Sequence, residues 1–207
     1  MAKLFSYDNP VWRLMGRVAD VFLLSVLWAV CSLPVITIGA STSALYYVAL
    51  KMARSHEGYL VRSYLKAFRE NLGQATVLWM MLLAVGLFLG ADMYWVYGME
   101  TGAAGMLFWV LFVLTVVYLF VAVMVFPLEA RVQAGTGKIF FLAFMIGMKN
   151  FSWVLLMLVT AVCIAALGVL VFWPILFVAV GAIAYIHAFI LEWVIFPKYG
   201  FSEKKEE

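Results

Sequence analysis

Lysine and arginine are placed in this chain in a way that few folds allow. All 14 fall in four clusters. These are Lys3, Arg13 and Arg17; Lys51, Arg54, Arg62, Lys66 and Arg69; Arg131, Lys138 and Lys149; and Lys198, Lys204 and Lys205. Long apolar runs separate the clusters. The runs pair about short loops near 34–37, 98–105 and 172–174, none of which carries a lysine or arginine. In a bilayer, short loops rich in lysine and arginine collect on one side. Six crossings with both ends on that side bring every cluster together, whereas five would send at least one across. Composition agrees. The chain is 67% hydrophobic and 12% charged, against about 25% charged for a soluble domain. The expected fold is all-α: a polytopic membrane helical bundle with about six transmembrane helices, N-in and C-in, forming a single membrane domain over 1–207. The net charge of +3 is then a matter of topology. The first partner is the lipid bilayer, and no nucleic acid is expected.

The spans are expected at about 14–33, 36–53, 74–94, 106–127, 151–171 and 175–196. Arg13 and Arg17 ahead of the run Val18–Leu33 imitate a signal peptide. That run closes on Ser32-Leu33-Pro34 rather than a small-x-small site, so it is expected to stay as the first span. The 36–53 stretch is rich in small residues, as close helix contacts require. At its length a re-entrant half-helix competes with a full span; the basic flanks favour the full span. Phe126-Pro127 and Phe196-Pro197 are expected to close spans 4 and 6, with Glu129–Lys138 a returning loop.

Two further segments are too short or too charged to cross. Residues 139–148 read as an interfacial helix. In 58–72, Leu60, Tyr64, Leu65, Phe68 and Leu72 recur at helical spacing while Arg62, Lys66 and Arg69 share another face. That is a basic amphipathic helix, expected on the cytoplasmic membrane surface. It serves either as a solvated connector or as a docking surface, with Arg62, Lys66 and Arg69 as partner-binding candidates. Gly86 and Gly90 give a GxxxG spacing, a candidate for intramembrane contact. A faint parallel repeat relates Lys66–Asn71 with spans 3 and 4 to Ala143–Asn150 with spans 5 and 6. Chance in so biased a composition accounts for it equally well.

Ionisable groups inside apolar runs are candidate functional sites. Asp20 is expected to pair with Arg17 at i, i+3. His187 and Glu192 lie five apart, about 140° on an ideal helix, so they are not expected to pair. Glu192 is expected to reach Lys198 or the headgroups. His187 is expected either to bond a carbonyl or hydroxyl of another span, or to serve a proton or a substrate. Cys31 and Cys163 read as small buried side chains. No phosphate-binding, dinucleotide, zinc-protease or nucleophile-elbow motif occurs. The expectation is no enzyme, no catalytic residue, no cofactor and no metal.

One set of residues resembles a known family. Leu4-Phe5-Ser6-Tyr7-Asp8-Asn9-Pro10, Gly16, Asp20, Leu27-Trp28, Ser32-Leu33-Pro34-Val35-Ile36-Thr37-Ile38-Gly39-Ala40 and Ala44-Leu45-Tyr46 are similar to the YesL family, with Phe68, Asn71, Gln74 and Ala75 continuing the pattern. These are small integral membrane proteins of Gram-positive bacteria, typically encoded beside carbohydrate ABC importers. The resemblance implies the bacterial plasma membrane, an accessory role in carbohydrate uptake, and permease or ATPase subunits of a sugar ABC importer as partners. It supplies no catalytic residues, and a homo-oligomer stays open. The alternative is a small transporter or permease-like protein. Glu129-Ala130 with Gly135 has the spacing of the first part of the loop by which importer permeases engage their ATPases. The later Leu-Pro of that loop is replaced by Gly147-Met148.

Overall fold

The computed structural model describes residues 10–54, 59–99, 102–170 and 176–201, with 10–14, 102–103 and 176–177 described in backbone only. All regular structure among them is helical. The order is α1 (Pro10–Cys31), a 3-10 turn (Val35–Thr37), α2 (Ile38–Ala53), α3 (Leu60–Tyr97), α4 (Gly102–Arg131), α5 (Thr136–Lys149), α6 (Phe151–Leu170) and α7 (Leu176–Ile190). A π-helical turn (Leu191–Ile195) and a 3-10 turn (Phe196–Tyr199) follow α7. Gly200 then ends the helical path in the left-handed region, φ 61°, where a residue without a β-carbon meets no steric penalty.

Among the described residues five stretches are long and apolar enough to cross a membrane: Val35–Ala53, Leu60–Tyr97, Ala104–Arg131, Phe151–Leu170 and Val178–Tyr199. To these α1 adds a 22-residue helix, about 33 Å long at 1.5 Å per residue. The chain is an all-α polytopic helical bundle and a membrane protein. Its apolar exterior includes Leu87, Phe88, Met106, Trp109 and Val113 on the α3–α4 hairpin, all exposed. Water would penalise such a surface at about 25 cal/mol per Å². Lipid does not.

The core forms around α2, which touches α1, α3, α4 and α7. Eleven of its 16 residues are buried, and many are small. A β-carbon on Gly39 would sit 2.5 Å from Trp79 Cβ and closer still to the Ala75 carbonyl, so glycine is what lets α2 and α3 meet. On the other side of the bundle Gly181 does the same for α7 against Val21 of α1. There Ser25 Oγ donates to Val21 O or Val178 O and accepts from Gly181 N.

Several boundaries differ from those the sequence suggested. The basic segment 58–72 is not a separate surface helix: from Leu60 it runs without a break into the span as the 38-residue α3. Gly73 is the only breaker near the expected junction, and one glycine costs a helix only about 1 kcal/mol relative to alanine. Ala67, Ala75 and Leu78 pin both sides of it in the core. Helix α4 likewise does not stop at Pro127 but continues to Arg131. An internal proline costs about 3 kcal/mol. Burial of Phe126, Leu128 and Ala130 around it offsets that cost. Span 6 is not α-helical to its end, because its last turns widen at Leu191. Helix α5 begins at Thr136, three residues before the expected 139, and buries Ile139, Ala143, Ile146 and Gly147; Gly147 lies against Phe120 and Met124 of α4. Asn150 makes the break into α6: its backbone carbonyl accepts from Trp153 and Val154, and its side chain returns to Ile146 O.

Candidate functional site

Because α4 outlasts Pro127, two residues expected in a loop enter the interior. Glu129 is 4% exposed, and its Oε2 accepts a hydrogen bond from Ser43 Oγ of α2. Asn71 Nδ2 approaches the same hydroxyl at 3.5 Å, and Gln74 Nε2 donates to Ala134 O at 2.6 Å. Helices α2, α3 and α4 thus meet in one polar layer. Nearby, Tyr64 Oη lies 2.6 Å from Ser41 Oγ, tying the start of α3 to α2.

Arg131 is the second residue carried inward. Its side chain is 7% exposed, with Nη2 3.6 Å from Glu192 Oε1. Arg54 Nε reaches the same oxygen at 2.9 Å. Arg131 also donates to Phe201 O at 3.1 Å and lies 5.7 Å over the Phe196 ring. A single carboxylate therefore joins the ends of α2, α4 and α7. Glu192 stands in the π-helical turn, a distortion that recurs at functional sites. It does not reach Lys198, as expected from sequence. Lys198 Nζ instead donates to Asn150 Oδ1 at 3.3 Å, and Asn150 Nδ2 donates to Tyr199 Oη at 2.9 Å.

His187 is 2% exposed. Nδ1 lies 2.9 Å from Tyr46 Oη, and Nε2 lies 2.9 Å from Met157 O, with Thr160 Oγ1 at 3.4 Å. A carbonyl can only accept, so Nε2 carries the proton; Nδ1 then accepts from the tyrosine. One neutral tautomer satisfies both contacts. His187 and Glu192 address different neighbours, in keeping with their spacing.

The other sequence candidates are scattered. Asp20 is half-buried, but Arg17 turns away from it and donates to Tyr185 Oη of α7 at 3.2 Å; the expected i, i+3 pair is not what holds Arg17. Arg62, Lys66 and Arg69 are exposed on α3, in a groove with Tyr59, Val61, Leu65 and Glu70. Lys66 and Glu70 are 4.0 Å apart and both about half exposed, a pair that contributes little. The two GxxxG glycines do not form one contact face. A β-carbon on Gly86 would come 2.6 Å from Tyr118 Oη, and that tyrosine donates to Leu82 O at 3.0 Å. Gly86 therefore serves α4 inside the chain, whereas Gly90 faces open space. Cys31 is half-buried, but Cys163 is exposed rather than a core residue.

Sequence reasoning missed Glu129, Arg131 and Arg54 as interior groups. Taking Phe-Pro as a stop concealed the first two. The signal available was apolar spacing across the proline: Val125, Leu128 and Val132 continue at i, i+3 and i+7.

Comparison with known proteins bears on part of this region. A family described as a protein of unknown function, DUF624, matches residues 21–93. The match takes in the second half of α1, all of α2 and most of α3, the helices that meet at Gly39 and Ser41. No curated protein matches the chain, and no solved structure does.

Proposed function

We propose that this chain is an accessory integral membrane protein of carbohydrate uptake, binding or stabilising a sugar ABC importer in the bacterial plasma membrane, with both termini cytoplasmic. The YesL-like residues motivate the class, and the DUF624 match overlaps much of the stretch that carries them. The observation that carries the reading is the first part of α3. Tyr59, Val61 and Leu65 are exposed there between Arg62, Lys66 and Arg69. The helix does not turn to lie along the membrane; it runs on from the span, so this face stands off the surface. Interleaved apolar and cationic side chains on a rigid support suit a protein partner with an acidic and apolar groove.

The permease-like alternative asks His187 to face a polar passage. Its depth and its two engaged ring nitrogens favour the accessory reading. Glu129, the first residue of the loop-like spacing, is turned inward to Ser43 and offers its carboxylate to no ATPase in this arrangement.

Co-purification from mild detergent at native expression tests the proposal. The expected result is recovery of a permease or ATPase subunit of a sugar importer with the wild-type chain, and its loss with Arg62→Glu, Lys66→Glu and Arg69→Glu combined. Recovery of no importer subunit would overturn it.

A further inference from the structure

The turn between α1 and α2 meets α3 well short of that helix's far end. Along α3 the last charge before the apolar stretch is Glu70 and the next is Asp92, 22 residues on, about 33 Å. That matches a hydrocarbon core of about 30 Å. Trp79 Nε1 donates to Val35 O of the turn at 2.9 Å. Trp79 is nine residues past Glu70 and 13 short of Asp92, about 13 Å and 20 Å respectively. Helix α2 agrees through its contact with Asn71, the neighbour of Glu70. Ser43, in the polar layer with Asn71 and Glu129, is eight residues past Val35, about 12 Å.

The turn has the chemistry of that depth. Leu33, Val35 and Ile36 are 80%, 60% and 58% exposed, an apolar knob around Pro34. Several of its backbone polar groups find partners within the chain, though none is seen for the N–H of Val35 or Ile36. Ser32 N donates to Trp28 O, Leu33 N to Val30 O, and Thr37 N to Pro34 O. Thr37 Oγ1 serves Cys31 O and Pro34 O, and Val35 O takes Trp79. Pro34 has no N–H to satisfy. Backbone placed away from water needs such internal pairing, while a turn emerging into water does not. Arg17 and Asp20 fit as well. Asp20 lies 11 residues before Cys31, about 16 Å down α1, which puts it at the headgroups rather than in hydrocarbon.

We propose that α1 and α2 form a re-entrant hairpin whose tip, Leu33-Pro34-Val35-Ile36, ends among lipid acyl chains about 20 Å short of the far interface. Helices α3 and α4 pass the tip and reach that interface. Every lysine and arginine stays on its side of the membrane, because a hairpin that returns and a pair of spans that cross and return leave the flanks in the same place. The inference is independent of the importer reading.

Single cysteines at Leu33 and Ile36, in a Cys31→Ala, Cys163→Ala background, test it with an impermeant maleimide applied to intact cells and to inverted vesicles. Tyr97→Cys and Arg62→Cys mark the two faces. The expected result is about tenfold slower labelling of Leu33→Cys and Ile36→Cys than of either marker from both faces, with full labelling after denaturation. Labelling alongside Tyr97→Cys would show a complete crossing and overturn the proposal. Labelling alongside Arg62→Cys would show a tip outside the membrane and do the same. A nitroxide on Leu33→Cys in liposomes separates lipid from protein around the tip. Collision with oxygen well above collision with a nickel chelate is expected; low collision with both would also overturn it.

Discussion

Replacing Glu192 by glutamine should destabilise the chain far more than a change near a helix end usually does. The carboxylate faces Arg54 at 2.9 Å and Arg131 at 3.6 Å. Glutamine keeps the shape and removes the charge, leaving two guanidinium groups side by side. Their fates differ. The Arg54 side chain is 20% exposed and can turn to water. Arg131, at 7%, cannot, although it keeps the Phe201 carbonyl and the Phe196 ring. Breaking a buried pair by removing one partner costs about 3–5 kcal/mol, and the residual contacts of Arg131 argue for the lower figure. For a chain of about 200 residues each kcal/mol shifts the melting temperature by about 2–4 °C. The melting temperature in detergent should therefore fall by roughly 6–12 °C for Glu192→Gln. Adding Arg131→Met should restore most of the loss, since a buried pair replaced whole by apolar groups is often neutral. Lys198→Gln should leave the melting temperature near that of wild type. A shift of about 1 °C or less for Glu192→Gln, or a double variant no better than the single, would refute the reasoning.

Other expectations follow from single contacts. Gly86→Leu should cost about 1–3 kcal/mol by driving Tyr118 off Leu82 O, while Gly90→Leu stays within about 0.5 kcal/mol; paired melting curves decide it, and equal effects would mean a different α3–α4 register. Tyr46→Phe leaves His187 Nδ1 unsatisfied in the core and should cost about 1–3 kcal/mol, read the same way; no loss would put water at that nitrogen. Changing Arg62, Lys66 and Arg69 together to glutamate should leave the melting temperature nearly unchanged, because exposed charges contribute little. A large drop would show that the face packs within the chain.

The helical bundle was legible in the sequence because lipid imposes two coarse constraints, apolar length and cation placement, and both survive errors of detail. The role of the small residues of 36–53 in close helix contact was legible for a similar reason: only glycine fits where Gly39 meets Trp79. The polar interior was not legible. Whether a helix ends at Phe-Pro depends on what packs around the proline, and the neighbours of Pro127 come from distant parts of the chain. That one junction decided whether Glu129 and Arg131 lay in a loop or in the core. The join at Gly73 has the same character, since a surface helix and a continuous one share the same local periodicity. The partner of Glu192 also escaped prediction, because Arg54 and Arg131 lie 138 and 61 residues away in sequence and only the fold brings them together.

The account depends on a bilayer enclosing the middle of α3 and separating its two ends. The direct test is the sidedness of Lys66→Cys and Tyr97→Cys, one on the basic face and one at the last residue of the helix. With an impermeant reagent, Tyr97→Cys should react in intact cells and Lys66→Cys only in inverted vesicles. Reaction of both from the same side would contradict it.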